Sequence, residues 1–400
     1  MDHTFDLNQD SKRVSKVEPS LIRTVLNRVE ELRNQGHKII ALSAGEPDFN
    51  TPEDIKTATI RAINQNHTHY SSNRGYEKLR KKIAIKTLEE TGVSYDYQSE
   101  ILVTSSGAEA INNTIMSIID EGEEGIVLSP AFVNYENMIK MCGGVPVVIE
   151  LDPSKDFEID VAKVEEQITD KTKLLVINNP NNPTGAVYDA EKLGRLCELS
   201  IQYNFIIVSD EMYSNLVYEK GIFKSVASFP GMKERAVIVN GFSKTYAMTG
   251  WRLGYITASQ TRLNAILKIH QYSTTCSPTF LQIGVSEGMD TQRSKEEISN
   301  MIQQFSKRRI ALMKGLDQIK LLTYIEPKGA FYLMVNVAAT GLDGMEFGKK
   351  LLEEKYVAVI PAVGLSKHCT NYIRLSFAAS MEHIDHALEK ISELVSELKQ

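Results

Sequence analysis

The chain has 400 residues, of which 42% are hydrophobic and 24% are charged, and its formal net charge is −6. This composition is typical of a globular protein with a large core, and the length favours two or three domains. A diffuse negative balance gives no footprint for nucleic acid and argues against an anionic membrane surface, so neither is an expected partner.

The cysteines and the N-terminus predict a cytoplasmic protein. Cys142, Cys197, Cys276 and Cys369 are scattered and form no C-x-x-C pair, which favours reduced thiols over a disulfide framework or a zinc site. No metal is therefore expected. Residues 1–10 are polar and acidic and lack the pattern of a signal peptide. No stretch has enough consecutive apolar residues to span a bilayer.

The predicted elements, in chain order, are those of an α/β protein. An opening helix is predicted over 19–35, and five short runs rich in β-branched residues follow, separated by segments with a helical pattern. Runs that are apolar on both faces are typical of strands in a mainly parallel sheet covered by helices on both sides. These runs are residues 101–104, 125–128, 174–177, 205–208 and 237–239.

The last part of the chain predicts a smaller α+β domain. Its predicted elements are a long helix over 294–318, strands over 330–335, 357–360 and 372–376, and a final helix over 381–398. The predicted division is an N-terminal arm and helix that join the small domain (1–48), a large domain (49–290) and a small C-terminal domain (291–400).

Small and polar residues cluster directly after the five central runs. Ligand sites in open α/β sheets lie at the carboxyl ends of the strands, so five separate segments are expected to converge on one crevice. These segments are residues 105–107, 129–132, 178–185, 209–213 and 240–244.

Lys244 lies in the last of these segments, within Gly-Phe-Ser-Lys-Thr-Tyr-Ala-Met-Thr-Gly-Trp-Arg-Leu-Gly at 241–254. Small and apolar residues flank it rather than other charges. A lysine in a dry, partly cationic site has a lowered pKa and becomes a nucleophile toward carbonyls. On this segment alone, an ordinary surface lysine remains the alternative.

Asp210 and Tyr213, after the fourth run, suggest which cofactor such a lysine would serve. A pyridoxal 5′-phosphate (PLP) site needs an anion facing the pyridine nitrogen, because a protonated ring accepts the electron pair of a substrate carbanion. The Tyr213 hydroxyl could donate to the phenolic oxygen of the cofactor. The alternatives are capping or a metal for Asp210 and a buried structural role for Tyr213.

The segment Ser106-Gly107-Ala108 lies where a strand gives way to a helix. Backbone N–H groups at a helix start, with a glycine that permits close approach, form a phosphate cradle, and Arg252 could add a bidentate contact. Neither G-x-G-x-x-G nor G-x-x-x-x-G-K-[ST] is matched, which counts against a nicotinamide dehydrogenase. Phe132 could stack on a flat heterocycle or belong to the core.

Asn182 and Arg374 could bind a substrate. The segment 178–185 holds four asparagines and two prolines, and it is either a turn alone or a source of an amide donor from Asn182. Arg374 stands between Ile373 and Leu375 in an apolar strand. It is either part of a structural ion pair or a fork for an α-carboxylate.

With these residues assembled, the sequence resembles the class I/II aminotransferases of PLP fold type I, in particular their bacterial aspartate/aromatic subgroup. The resemblance extends from Ser-Ala-Gly-Glu-Pro-Asp-Phe at 43–49 to Arg374. It rests on Ser-Lys-x-x-x-Met-x-Gly-Trp-Arg within 241–254, on Asn-Pro-Thr-Gly at 182–185, and on the pair Asp210 and Tyr213. Fold type I implies a large domain with a mainly parallel seven-stranded sheet and a smaller α+β domain.

The resemblance implies roles around the cofactor ring. Lys244 would carry PLP as a Schiff base and move a proton between the substrate Cα and the cofactor C4′. Asp210 would pair with the pyridinium, and Tyr213 and Asn182 would contact the phenolic oxygen. Phe132 would stack on the ring, where relatives often carry tryptophan or tyrosine.

The resemblance also implies how phosphate and substrate are held. Tyr70 would reach the phosphate of the neighbouring subunit, so the active unit would be a homodimer with sites at its interface. Arg374 and the backbone of Gly45 would bind the α-carboxylate. The residues implied to hold the phosphate within one subunit are Ser106, Gly107, Ala108, Ser243 and Arg252.

Two positions and one segment depart from the family pattern. Ala108 stands where some aspartate-preferring relatives carry a lysine for a distal carboxylate, and Gly241 stands where some offer a serine hydroxyl to the phosphate. The segment Pro-Ala-Val-Gly-Leu-Ser at 361–366 departs from Pro-Gly-x-x-Phe in a loop that usually lines the side-chain pocket. An unusual substrate preference is therefore expected.

The expected reaction is a ping-pong transfer of the amino group of an L-amino acid to a 2-oxo acid such as 2-oxoglutarate. A lyase that catalyses β-elimination or α,γ-elimination shares the fold and most of these residues, so it remains an alternative. The PLP-binding sensor of a transcription regulator is disfavoured, because the segment before Ser43 is too short for a DNA-binding domain and lacks a basic helix-turn-helix pattern.

Overall fold

The computed structural model describes residues 10–398 of the chain. Within them, the α-helices are α1 (Leu21–Asn34), α2 (Glu53–Asn64), α3 (Glu77–Thr91), α4 (Gly107–Met116), α5 (Asn134–Met141), α6 (Val161–Glu166), α7 (Ala190–Gln202), α8 (Met232–Arg235), α9 (Gln260–Ser273), α10 (Thr279–Gly288), α11 (Gln292–Leu316), α12 (Gly344–Lys355) and α13 (Met381–Glu397). Short 3₁₀ helices cover Val14–Lys16, Pro153–Lys155, Val226–Ser228, Thr249–Trp251, Ala338–Thr340 and Ala362–Gly364.

The strands of the same part of the chain form three sheets, the largest of which has seven strands. The strands are β1 (Ile40–Ala41), β2 (Ile101–Thr104), β3 (Glu124–Ser129), β4 (Val145–Glu150), β5 (Thr172–Asn178), β6 (Ile206–Asp210), β7 (Ala236–Gly241), β8 (Gly254–Thr257), β9 (Thr323–Ile325), β10 (Tyr332–Asn336), β11 (Val357–Ala358), β12 (Ile360–Pro361) and β13 (Tyr372–Ser376).

The seven-stranded sheet has the order β2-β8-β7-β6-β5-β3-β4. Its neighbouring strands are parallel except for β8, which runs antiparallel to both β2 and β7. The prediction of an α/β fold with a mainly parallel seven-stranded sheet is therefore confirmed. All five apolar runs identified in the sequence are strands of this sheet.

The two remaining strands, β4 and β8, were not among those five runs. β4 is an edge strand in which Val145 and Val148 are exposed, so the fully buried pattern is absent. Its Pro146 is tolerated there because an edge strand has a free side that needs no N–H donor. β8 is buried but only four residues long, and it follows the Lys244 segment after a single 3₁₀ turn.

Both faces of the central sheet are buried, as its apolar runs predict. Along β5, Leu174 and Val176 pack on one face with residues of α4, α5 and α9, whereas Leu175 and Ile177 pack on the other with residues of α3, α7 and α10. Burying each such side chain stabilises the fold by about 1.5–3 kcal/mol. A sheet held on both faces gives its strand ends fixed positions.

The smaller sheet is antiparallel with the order β12-β13-β10-β9, and a separate parallel pair joins β1 to β11. The prediction of a single strand over 357–360 is wrong, because these residues form two strands, β11 and β12, in different sheets. Val357 pairs with Ile40, whereas Ile360 pairs with Arg374 in the other sheet. The backbone changes partners between them, and no local pattern marks such a change.

The opening helix α1 packs on elements of the predicted small domain. Arg28 forms an ion pair with Glu353 of α12 at 2.7 Å. Val29 and Leu32 pack in one cluster with Leu352 and Ala358. These contacts agree with an N-terminal helix that joins the small domain, while the proposed domain boundaries remain a prediction.

The helices were compared with what a membrane span requires, and the cysteines with what a disulfide requires. No helix within residues 10–398 combines the length and the apolar character needed to cross a membrane. All four cysteines are free thiols. Burial raises the pKa of Cys197 to about 12 and that of Cys369 to about 11, so both thiols are unreactive at neutral pH.

Candidate active site

Lys244 follows the carboxyl end of β7 and is half-buried. Its Nζ donates to the backbone carbonyl of Gly45 and lies 5.8 Å from the ring centre of Tyr213 and 5.7 Å from that of Phe331. Burial is the main cause that lowers the pKa of Lys244 to about 8. A sizeable share of this amine is therefore neutral near physiological pH, which a nucleophile toward carbonyls requires.

Asp210 ends the neighbouring strand β6 and is buried. Its Oδ2 accepts from the Tyr135 hydroxyl at 2.8 Å, and its Oδ1 accepts from the backbone N–H of Met212 at 3.1 Å. Burial raises the pKa of the Asp210 carboxyl above its usual value, and the positive charge of Lys244 partly opposes that rise. A buried carboxylate of this kind gains stability when a cation is placed against it.

Tyr213 and Tyr332 form a buried pair beside the lysine. Their hydroxyls lie 2.9 Å apart and their rings pack edge to face at 5.7 Å. Burial raises the pKa of Tyr213 well above its ordinary value, so its hydroxyl keeps its proton. Tyr213 can therefore donate a hydrogen bond within the cluster around Lys244.

The asparagine-rich segment after β5 is tied to Asp210 and to Arg374. The Asn178 side chain donates to the Asp210 carbonyl at 3.0 Å and accepts from the Asn182 backbone at 2.8 Å. Asn182 Oδ1 accepts from Arg374 at 3.1 Å. Because its oxygen is occupied, Asn182 has its side-chain NH₂ left to donate to a ligand.

Arg374 is buried in β13 and has no carboxylate within 4.0 Å among residues 10–398. Its guanidinium donates to Asn182 and to the Ser43 carbonyl, the latter at 3.0 Å, and lies 4.4 Å from the ring centre of Tyr332. Its Nε is buried without a hydrogen-bond partner in the described chain. A structural ion pair is therefore not observed, and an anionic ligand would satisfy this buried cation.

The phosphate cradle predicted at Ser106-Gly107-Ala108 is the start of α4. A Cβ on Gly107 would lie 2.5 Å from Met212 Cε, and a Cβ on Gly254 would lie 2.7 Å from Gly107 N. Only glycine fits where β8 meets this loop. The close approach places the loop beside the segment that carries Ser243, which is buried, and Arg252, which is exposed and donates to Thr249 O at 3.0 Å.

The structure brings together most of the predicted site residues. Phe132 and Tyr70 differ from the others in their packing and exposure. Phe132 is half-buried and packs edge-on against Tyr135 at 6.0 Å. Tyr70 is 85% exposed.

Sequence reasoning missed several residues that complete the site. Tyr135 forms a hydrogen bond with Asp210, and Tyr332 forms one with Tyr213. The Ser43 carbonyl accepts from Arg374, and the Asn178 side chain accepts from the backbone of Asn182. Tyr135 lies in the first turn of α5, and no local pattern along the sequence indicates that its hydroxyl reaches Asp210. Only the pairing of β10 with β13 places Tyr332 beside Arg374.

Comparison with known proteins gives matches along almost the whole chain. A family model for aminotransferase class I and II matches residues 37–391. The chain is 39% identical to a probable aspartate aminotransferase of Methanocaldococcus jannaschii, over 96% of this chain and 99% of that protein. It is 34% identical to aromatic-amino-acid aminotransferase 2 of Thermococcus litoralis, over 97% of this chain and 99% of that protein.

A solved structure agrees with these sequence matches. The aspartate aminotransferase from Thermus thermophilus with maleate superposes with a TM-score of 0.92 at 37% identity, covering 97% of this chain and 100% of that chain. The predicted fold type and the predicted resemblance are confirmed. Because the family model and these relatives extend over nearly its full length, the protein belongs to the aminotransferase class I and II family and is an aminotransferase.

Proposed function

We propose that this aminotransferase uses PLP and transfers the amino group of an L-amino acid to a 2-oxo acid such as 2-oxoglutarate. The observation that carries the proposal is the constellation around Lys244. A lysine with a pKa of about 8, a buried carboxylate and a buried arginine without a carboxylate partner in the described chain occur in one cluster. Perturbed ionisable groups of opposite sign are typical of active sites.

The chemistry of the donor set fits PLP. The glycine-lined start of α4 offers backbone N–H groups to a phosphate, at a place where a Cβ would block close packing. Asp210 offers a buried negative charge to a ring nitrogen, and Lys244 offers an amine to an aldehyde. Tyr213 and Asn182 each have a donor for a phenolic oxygen.

Each proposed role follows from the chemistry of the side chain. When bound, PLP supplies a ring that accepts the electron pair left at the substrate Cα. Asp210 would hold the proton on the ring nitrogen, and Lys244 would move a proton between the substrate Cα and the cofactor C4′. Phe132 would pack against the ring. The phosphate contacts are proposed for Ser106, Gly107, Ala108, Ser243 and Arg252.

The substrate α-carboxylate is proposed to bind Arg374 and the backbone of Gly45. Arg374 is held by Asn182 and Ser43, so its fork is oriented before the substrate arrives. The names of the relatives specify aspartate and aromatic amino acids, and we propose the donors from these two groups. Ala108 provides no cation for a distal carboxylate, so aspartate is not expected to exceed the aromatic donors.

A half-reaction experiment tests the proposal. The PLP-loaded protein is mixed with single L-amino acids, including aspartate, tyrosine and phenylalanine, without an acceptor. We expect one equivalent of 2-oxo acid and accumulation of the aminated cofactor, followed by recovery of the original spectrum when 2-oxoglutarate is added. Continuous release of ammonia without an acceptor, with pyruvate from a donor that carries a β-leaving group or 2-oxobutyrate from one that carries a γ-leaving group, would instead identify a lyase.

We further propose a homodimer in which Tyr70 contacts the phosphate bound by the neighbouring subunit. The tyrosine is largely exposed, yet the segment around it is anchored, since Thr279 donates to the His69 carbonyl at 2.7 Å and Gln282 donates to Ser71 at 3.3 Å. An aromatic side chain held in place at the surface is typical of an interface contact.

Mixed dimers test this arrangement. A dimer of one Lys244→Ala chain and one Tyr70→Phe chain contains one site with neither change if Tyr70 acts across the interface. We expect this mixed dimer to regain about half of wild-type activity, although each homodimer is impaired. If Tyr70 acted within its own subunit, mixing would restore nothing.

We also propose a cytoplasmic location, and the free thiols support it.

A further inference from the structure

A hydrogen-bonded pair, the half-buried Glu109 and the buried His270, lies next to the proposed phosphate cradle. Glu109 is in the first turn of α4, and His270 lies in the last turn of α9. The His270 Nδ1 and the Glu109 Oε1 are 2.7 Å apart, and His270 has no exposed surface. A carboxylate only accepts hydrogen bonds, so Nδ1 carries the proton and donates. The proposed function assigns no role to either residue.

The loop that Glu109 supports has an unusual backbone conformation. Ser106 has φ 114° and ψ 163°, a region that is essentially restricted to glycine. Such a conformation persists only where surrounding contacts hold it. The conformation of Ser106 also matters for phosphate binding, because this residue precedes the free backbone N–H groups at the start of α4.

Glu109 makes several of the contacts that hold this conformation, and Thr104 Oγ1 adds another by donating to the Ser106 carbonyl at 2.9 Å. Its Oε2 accepts from the backbone N–H of Ser105, and its own N–H donates to Ser106 Oγ at 3.3 Å. Its Oε1 accepts from His270 and from Asn113 Nδ2, the latter at 2.7 Å. The carboxylate is thus fixed at both oxygens, and the Ser105 amide is occupied by its bond to Oε2.

His270 is the contact that connects this loop to another helix. Asn113 belongs to α4 itself, one turn from Glu109, whereas His270 belongs to α9. The His270 Nε2 is buried without a partner in the described chain, so the ring is oriented by its bond to Glu109. This single hydrogen bond, made by a ring that packing holds in place, fixes the position of Glu109 Oε1.

We propose that His270 and Glu109 are positioning residues that hold Ser105 to Ala108 in the conformation that binds the cofactor phosphate. The inference rests on the proposed use of PLP. Loss of the His270 donor lets the Glu109 carboxylate turn, frees the Ser105 amide and lets Ser106 relax to an ordinary backbone conformation. The cradle must then be reordered on binding, which weakens cofactor affinity without touching the site of proton transfer.

Titration of the cofactor-free full-length protein with PLP measures this effect. Trp251 is the only tryptophan of the chain and precedes Arg252, so its fluorescence reports binding independently of turnover. We expect His270→Leu to raise the Kd for PLP about tenfold, or ~1.4 kcal/mol. At saturating PLP, kcat and the amino acid KM should remain near wild type. The ³¹P signal of the bound phosphate should shift, since its hydrogen bonds change.

Three further variants separate positioning from packing. His270→Asn can still donate from the place of Nδ1 and should recover most of the affinity. Glu109→Leu removes the acceptor of the Ser105 N–H at similar side-chain volume and should weaken PLP binding as His270→Leu does. Ser273→Ala, on the exposed end of the same helix, should bind like wild type. The thermal stability of each cofactor-free protein is measured in parallel.

The outcomes distinguish this inference from the proposed function. If wild type binds PLP and both His270→Leu and Glu109→Leu bind it equally well, the positioning role is wrong. Weakening in His270→Leu that His270→Asn does not relieve also overturns it, because a change in packing, and not the loss of the hydrogen-bond donor, would then explain the effect. If wild type itself does not bind PLP, the proposed cofactor is wrong and this inference fails with it.

Discussion

Lys244→Ala is expected to lower kcat by on the order of 10⁴-fold, the upper range for a positioned group that transfers protons. The variant loses both the amine that would bond to the cofactor and the base beside the substrate Cα. Borohydride reduction followed by peptide mapping measures the covalent attachment, which we expect in wild type at residue 244 and not in the variant. A Lys244→Ala protein that kept covalently bound PLP would contradict the assignment.

The environment of Lys244 also predicts its pH dependence. Burial lowers its pKa to about 8, so the neutral, reactive amine increases as the pH rises through that value. An exposed lysine stays protonated up to about pH 10. In the cofactor-free protein, labelling of Lys244 by an amine-specific reagent should therefore reach half its maximal rate near pH 8. A midpoint at the value of an exposed lysine would show that the side chain is hydrated.

Lys355 provides the matched control for this experiment. Its side chain is only 14% exposed, but it forms ion pairs with Glu393 and Glu397 of α13. Those partners raise its pKa, so it should label more slowly than Lys244 at pH 8. Lys355→Ala should leave kcat close to wild type, since no proposed step uses this residue.

Asp210→Asn is expected to lower kcat by about 10²–10³-fold, the cost of removing one preorganised charged group. The amide is nearly the same size as the carboxylate but cannot hold a proton on the ring nitrogen. Steady-state kinetics at saturating PLP measure the loss. Activity near wild type would mean that Asp210 does not face the ring nitrogen.

The same substitution should not destabilise the cofactor-free protein. Burial raises the pKa of Asp210, so its ionised form is held at a cost when no cation is present. A neutral amide removes that cost and can keep one hydrogen bond with Met212 or Tyr135. We therefore expect an unchanged or higher Tm without cofactor. A large fall in Tm would assign the loss of activity to misfolding.

Glu211→Gln is the control for a buried carboxylate at the same strand end. Glu211 accepts from Ser209, Ser225 and the Val226 backbone, all at 2.9–3.1 Å, and burial raises its pKa to about 7. Because it supports the 225–226 turn and not the Lys244 cluster, kcat should remain near wild type. A loss equal to that of Asp210→Asn would remove the distinction between the two carboxylates.

Much of the fold could be predicted because its signals are local. The strands β2 and β13 were predicted with the bounds that are observed, and the helices α1, α11 and α13 within two residues at each end. The helix starts follow from caps, as where the Ser380 side chain accepts from the His383 N–H. The prediction failed for edge strand β4 and for the strand over 357–360, where pairing with distant strands decides the structure.

The sequence by itself determined which residue types stand at the strand ends, and therefore the candidate chemistry. Lys244, Asp210 and Asn182 could be expected near one another, since the carboxyl ends of parallel strands meet at one edge of a sheet. The sequence patterns of these segments also led to the family, which the comparisons confirm.

Only the tertiary structure decided how these groups are held. Tyr135 bonds to Asp210 across 75 residues, Tyr332 to Tyr213 across 119, and His270 to Glu109 across 161. A hydrogen bond requires two side chains within about 3 Å, with the donor aimed at the acceptor. No periodicity along the chain specifies that geometry, because it arises from how distant helices and strands pack.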